Sequence, residues 1–297
     1  MQPSTAGRGV NEGFGARLAG VLDGFGHLCV GIDPSAAALA AWGLEDTPAS
    51  LETYSGRLIE AAAGPAPLVK VQAAFFERHG AAGVAVLERV LAACRQAGVI
   101  SILDVKRGDI GSTMDGYAAT YFGPAAPMPA DAVTLSPYLG FGSLERAIAL
   151  AQGAGQGVFV LALTSNPDGA AVQQARRADG LTVAQAVLTA AGRANRGQNG
   201  PGSVGVVIGA TLGALDEATA KLVRELGGPI LAPGLGAQGA SPDDLAGVFG
   251  EAYAQVVAPA SRAIASAGPS LAALLGRIEN LQAELGGAGA KWPERPV

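Results

Sequence analysis

Eight short apolar runs, rich in β-branched residues, recur along the chain at 28–33, 68–73, 99–105, 132–136, 158–164, 204–209, 229–232 and 255–258. None alternates apolar with polar positions as a half-solvated strand does, so each reads as a strand buried on both faces. Between them lie segments of helical period with many Ala, Leu, Glu and Arg residues, clearest over 81–96, 143–151, 183–195 and 215–226. Strand and helix alternate eight times, which predicts an α/β protein built as a single-domain (β/α)8 TIM barrel. A doubly wound open sheet is the structural alternative. It usually carries a glycine-rich GxGxxG turn after its first strand, and Gly31-Ile32-Asp33-Pro34-Ser35 is not one.

The barrel is expected over 13–284, between flexible tails at 1–12 and 285–297 that are rich in Gly, Pro and charge. Segment 193–202 reads as a mobile loop before the sixth strand, on the helix-to-strand side and therefore at the bottom of the barrel.

The chain is 49% hydrophobic and 15% charged, enough apolar sequence for a large core. Its 44 glycines and 18 prolines suit many tight strand–helix connections. The net charge of −5 argues against a nucleic-acid or anionic-membrane surface, so an anionic ligand needs a local cluster of positive groups. No apolar run approaches the roughly 18 residues of a membrane-crossing helix, and 1–13 lack the apolar stretch of a signal peptide. A cytoplasmic protein is expected. Cys29 and Cys94 lie in apolar runs and read as buried thiols. No Cys/His metal spacing is present, and His27 and His79 are the two histidines.

Lysine is scarce: the four are Lys70, Lys106, Lys221 and Lys291. Where arginine supplies ordinary surface charge, a lysine stands out because it readily shifts its pKa and gives up a proton. Lys70 and Lys106 sit inside or at the end of apolar runs, where a solvated lysine is least expected.

In a barrel of this kind the site lies at the C-terminal strand ends. The polar residues there are Asp33 after the first strand, Lys70 and Gln72 on the second, and Asp104, Lys106 and Asp109 on and after the third. Thr164, Ser165 and Asn166 follow the fifth, and Ser261 and Arg262 the eighth. Taken singly, Asp33 or Ser165 reads equally well as a salt bridge or helix cap; the gathering at one face is what points to a site. After the seventh strand, Pro233-Gly234-Leu235-Gly236-Ala237-Gln238-Gly239 offers backbone N–H groups and the Gln238 amide to an anion, beside the guanidinium fork of Arg262.

The charged core is Asp33, Lys70, Asp104, Lys106 and Asp109. Residues two apart on a strand share a face, so Asp104 and Lys106 meet if the third strand extends that far. An ammonium held between carboxylates stays protonated and suits a general acid, not a Schiff-base nucleophile. A carboxylate aimed at a substrate anion helps only a reaction that removes that charge, as loss of carbon dioxide does.

Asp104-Val105-Lys106-Arg107-Gly108-Asp109-Ile110-Gly111-Ser112-Thr113 resembles the DxKxxD signature of the orotidine 5′-phosphate decarboxylases, in the KRGDIGST version of their longer bacterial form. The likeness extends to 31–34, 69–72, 233–239 and 261–262. It implies a (β/α)8 homodimer that converts orotidine 5′-monophosphate to uridine 5′-monophosphate (UMP) and carbon dioxide, the last step of de novo pyrimidine nucleotide synthesis, with neither metal nor organic cofactor. It further implies Lys106 as proton donor to C6, Asp104 beside the substrate carboxylate, Lys70 holding the network and the ribose, and Asp33 on a ribose hydroxyl. Ser165 would contact the pyrimidine. Gln238 and Arg262 would hold the phosphate, with the loop from Pro233 and Gly234 closing over it. Asp109, Ile110 and Thr113 would reach into the neighbouring subunit's site. Ser261 departs from shorter relatives, many of which have Gly there.

Three other readings compete. A magnesium-dependent sugar-phosphate keto-acid decarboxylase of the same superfamily usually carries an extra acidic ligand after the second strand, where this chain has Gln72 and Ala73 and then, farther on, Glu77. A Schiff-base aldolase would use Lys70 or Lys106. A non-catalytic phosphate-metabolite-binding barrel would keep Gln238 and Arg262 but has little use for Asp104 with Lys106.

Overall fold

All eight apolar runs form parallel strands: β1 Leu28–Ile32, β2 Leu68–Gln72, β3 Ile100–Arg107, β4 Ala132–Leu135, β5 Gly157–Leu163, β6 Val204–Ile208, β7 Ile230–Leu231 and β8 Val256–Ala260. The computed structural model describes residues 12–198, 200–236, 239–286 and 292. In it the strands close in sequence order, with β8 pairing back to β1 through Cys29 and Pro259. The chain is therefore a closed (β/α)8 barrel, and the open doubly wound sheet is excluded.

The period-two alternation of each strand divides the core in two. Val30, Ile32, Val69, Val71, Leu103, Val133, Val158, Val160, Val206 and Ile208 point outward into a shell packed under the helices. Cys29, Leu68, Ile102, Ala132, Phe159, Val207, Leu231 and Val257 point inward. Burial on both faces is why the strands carry almost no polar residues. Continuing the inward set toward the strand ends gives Asp33, Lys70, Gln72, Asp104 and Thr134, so the polar layer rests on an apolar floor.

That floor is closed from below by the helix Phe14–Phe25. Phe14, Leu18 and Leu22 recur every four residues on one face and join the inward cluster. The Phe14 ring meets Phe159 edge-on at 6.0 Å and 87°. Gly157 makes this approach possible, since a Cβ there would lie 2.1 Å from the Phe14 ring.

Two expectations about the ends and loops change. The described residues of 193–202 lie below the barrel, anchored at Asn195, which is buried and whose amide donates to Val204 O (2.8 Å) and Leu226 O (3.1 Å) while accepting from Val204 N (3.0 Å). The ordered body also continues past 284. Leu285 is buried and its carbonyl accepts from the Tyr253 hydroxyl at 2.9 Å, and Trp292 packs half-buried against the inward cluster. Residues 1–11 and most of 287–297, expected as tails, lie outside the described residues. Both cysteines are free and buried. No helix among the described residues is long and apolar enough to cross a membrane.

Candidate active site

Lys70, Asp104 and Lys106 form an alternating line of charge at the C-terminal ends of β2 and β3. In-register pairing sets Lys70 beside Ile102 and Gln72 beside Asp104, which brings the side chains into reach. Lys70 Nζ lies 3.2 Å from Asp104 Oδ2, and Lys106 Nζ lies 2.6 Å from Asp104 Oδ1. Gln72 Nε2 also donates to Oδ2, at 3.0 Å. Asp33, at the end of β1, stands 3.9 Å from Lys70 Nζ. Its Oδ1 is buried without a hydrogen-bond partner among the described residues.

β3 does extend far enough to join Asp104 and Lys106, but not as a regular strand. Its register against β4 shifts between Leu103 and Arg107, and Lys106 adopts φ +46°, the one described non-glycine residue with positive φ. Thr134 of β4 stabilises this irregularity. Its hydroxyl accepts from Val105 N (3.0 Å) and Lys106 N (2.9 Å), two amides the bulge withdraws from the ladder, and donates to Asp104 Oδ1 at 2.8 Å. A left-handed lysine costs on the order of 1 kcal/mol or more and persists only where its surroundings over-determine it. Sequence reasoning missed Thr134, because one threonine in Ala132-Val133-Thr134-Leu135 looks like ordinary β-branched filling.

The environment separates the charges in strength. Asp104 is 7% exposed, and burial alone would raise its carboxyl pKa. The ammonium groups of Lys70 and Lys106, with hydrogen bonds from Lys106 and Thr134, outweigh burial and hold it down to about 2. Lys70 is equally buried. Desolvation pulls its pKa down, but Asp33 and Asp104 prevail and raise it. Asp104 is thus a fixed anion and Lys70 a fixed cation, whereas the Lys106 side chain is 47% exposed and reaches into the open cavity.

That cavity, about 620 Å³, is lined by the cluster and by Thr134, Leu161, Thr164, Ser165, Asn166, Val207, Gly209, Thr211, Leu231 and Pro233, among others. Asp33 lines an adjoining recess that shares Gln72, Asp104 and Lys106. Ser165 and Pro233 both line this cavity. Arg262 is exposed at the start of the short helix Arg262–Ala265 after β8 and does not line this cavity. Its neighbour Ala263 nonetheless faces the glycine loop after β7, 3.5 Å from where a Gly236 Cβ would sit. Gly234 is buried with φ +130°, which favours glycine; Gln238 lies outside the described residues. Ser261 packs into the space that a side chain on Gly31 would take, 2.7 Å from such a Cβ.

Asp109, Ile110 and Thr113 do not line their own chain's cavity. Asp109 Oδ1 accepts from Ile110 N at 2.8 Å, Ile110 is 60% exposed, and Thr113 is exposed on the helix Gly111–Tyr121. Glu77, the acidic residue weighed as a metal ligand, is instead paired with Arg107, whose guanidinium also lies 5.4 Å from the Tyr117 ring centre.

Residues 26–275 match the orotidine 5′-phosphate decarboxylase / HUMPS family. The chain is 51% identical over 273 residues to an orotidine 5′-phosphate decarboxylase of Salinispora tropica, covering 92% of this chain and 97% of that one. It is 49% identical over 276 residues to the enzyme of that name from Streptomyces coelicolor, with 92% and 97% covered. A crystal structure from Streptomyces avermitilis, provisionally assigned the same activity, superposes with a TM-score of 0.88 at 49% identity, covering 93% of this chain and 95% of that one. The orotidine monophosphate decarboxylase of Leishmania donovani superposes at 0.69 with 32% identity, over 93% and 100%. With the signature residues converging at one end of a closed barrel, the chain belongs to the orotidine 5′-phosphate decarboxylase / HUMPS family.

Proposed function

We propose that this chain removes carbon dioxide from orotidine 5′-monophosphate, with Lys106 as the acid and Asp104 as the fixed anion. The alternating Lys70–Asp104–Lys106 line on an apolar floor carries this reading. A substrate carboxylate brought against Asp104 meets an anion that the ammonium groups of Lys70 and Lys106 hold ionised. The bond from C6 to the carboxyl carbon breaks, its electron pair stays on C6, and carbon dioxide leaves. The repulsion disappears with the departing charge, so it favours the transition state over the bound substrate. The electron pair left on C6 faces the Lys106 ammonium, which stabilises it and then donates the proton that completes uridine 5′-monophosphate. Lys70 keeps Asp104 ionised and properly turned.

The remaining roles are assigned by the same reading. Asp33 accepts a hydrogen bond from a ribose hydroxyl at Oδ1, which has no hydrogen bond among the described residues, Ser165 meets the pyrimidine edge, and Pro233, Gly234, Gln238 and Arg262 hold the phosphate. Asp109, Ile110 and Thr113 complete the site of a second copy of the chain. Supporting this, Ile110, Tyr138 and Leu139 are 60%, 79% and 51% exposed. Their segments adjoin, since Ser136 N donates to Arg107 O at 2.7 Å. Such a rim suits a symmetric contact. A cytoplasmic setting belongs to this reading as well.

The test is the ultraviolet absorbance of orotidine 5′-monophosphate incubated with pure, chelator-treated protein. Metal-independent loss of the substrate band is expected. Activity that disappears with chelation and returns with magnesium would favour the sugar-phosphate decarboxylase instead.

A further inference from the structure

One wall of the cavity is fastened by a residue that does not line it. The chain leaving β5 supplies Thr164, Ser165 and Asn166 to the cavity, and Gln173 grips the first of them twice. Thr164 N donates to Gln173 Oε1 at 2.8 Å, and Gln173 Nε2 donates to Thr164 Oγ1 at 2.6 Å. With its acceptor side occupied, the Thr164 hydroxyl turns its own proton to Asn166 Oδ1 at 2.6 Å. A single amide thus sets the backbone and hydroxyl of one residue and the direction of another.

Ser165 is held from the opposite side. Gly209, just past β6, donates its N–H to Leu163 O at 2.8 Å, and a Cβ at Gly209 would come within 2.8 Å of both N and Cβ of Ser165. The serine therefore sits between the Gln173 clamp and a bare glycine, with little room to turn. Hydroxyl and amide groups stand on this wall above the apolar side chains Leu161 and Val207. A polar edge above an apolar face matches a planar heterocycle, not a phosphate, and such a wall discriminates only if its polar groups are fixed in direction.

We propose that Gln173 is a positioning residue for recognition of the pyrimidine base, acting through Thr164 on Ser165 and Asn166. The proposal rests on the nucleotide reading above. It makes a separable claim: loss of the clamp weakens ligands that carry the base and spares those that lack it.

The experiment compares binding of uridine 5′-monophosphate and ribose 5-phosphate by calorimetry in wild type, Gln173→Met and Gln173→Glu, alongside turnover of orotidine 5′-monophosphate. Methionine keeps the length and removes both hydrogen bonds. Glutamate still accepts from Thr164 N but cannot donate to Oγ1, so the hydroxyl turns to it and releases Asn166. Affinity for UMP is expected to fall about tenfold in Gln173→Met and by an intermediate amount in Gln173→Glu, with ribose 5-phosphate changed less than about twofold. Equal weakening of both ligands, loss of both, or unchanged UMP affinity overturns the clamp. Wild-type protein that neither binds UMP nor consumes orotidine 5′-monophosphate overturns the nucleotide reading itself.

Discussion

Thr134 donates to the same carboxylate oxygen of Asp104 that receives Lys106, at 2.8 Å against 2.6 Å. It also accepts the amides of Val105 and Lys106, so one hydroxyl ties the backbone bulge to the charge. Thr134→Val keeps the shape and removes all three bonds, leaving two amides without a partner. A loss of about 2–4 kcal/mol in unfolding free energy is expected, with kcat falling more than KM rises, because the fault lies at the reacting charges. Chemical denaturation and steady-state kinetics check both parts.

Lys106→Ala is expected to fold and to lose nearly all turnover. Lys106→Gly should be equally inactive yet more stable than the alanine variant by about 1 kcal/mol, since glycine tolerates φ > 0 and alanine does not. Both variants lack the ammonium, so their difference isolates the backbone term. Substantial residual turnover in either would remove Lys106 from the role of acid.

The depressed carboxyl of Asp104 gives stability a defined acid dependence. Its folded value of about 2 lies below the ordinary 3.8. The contribution is therefore fully present above about pH 4 and is lost as the pH falls through 2. It amounts to roughly 2 kcal/mol. Asp104→Asn should flatten that part of the acid-denaturation curve and abolish activity. For Lys70, whose folded value is raised above 10.5, the stabilisation is present below the ordinary lysine range and declines only as the pH rises beyond it.

Arg262→Ala is expected to lower kcat/KM for the nucleotide substrate on the order of 10²-fold, because distant phosphate binding supports the chemistry at the ring. The same substitution should leave the melting temperature close to that of wild type, since the side chain is exposed. Unchanged kinetics would remove Arg262 from the phosphate site.

Subunit sharing predicts complementation. Lys106→Ala and Asp109→Ala should each be inactive alone. Unfolded together and refolded in equal amounts, they should recover about a quarter of the wild-type activity, because half of the dimers are mixed and each mixed dimer holds one intact site. No recovery in demonstrably mixed dimers would place Asp109 in its own chain's site.

The barrel was legible because burial on both strand faces writes a repeated signal, and the charged line because Lys70 and Lys106 interrupt apolar runs in a chain poor in lysine. Thr134 was not, since a threonine in a strand satisfies β-propensity before it suggests a hydrogen-bond hub. Gln173 ends the four-residue helix Ala170–Gln173, too short to announce itself by periodicity, and its partner Thr164 is fixed only by folding. The left-handed turn at Lys106 has no local sequence cue either; it follows from pairing between β3 and β4. The anchoring at Asn195 depends on its reaching Val204 and Leu226, a relation invisible in a run that otherwise looks like linker.

The Phe14–Leu22 stopper has a consequence for traffic. With the lower end sealed by Phe14, Leu18 and Leu22 against Phe159, Leu68 and Ile102, the described part of the barrel is blind-ended. On the proposed reaction, carbon dioxide formed beside Asp104 finds no rear opening among the described residues and leaves through the mouth that admits the nucleotide. Carbon dioxide therefore leaves past the product or after it, and the opening of that mouth governs the departure of both.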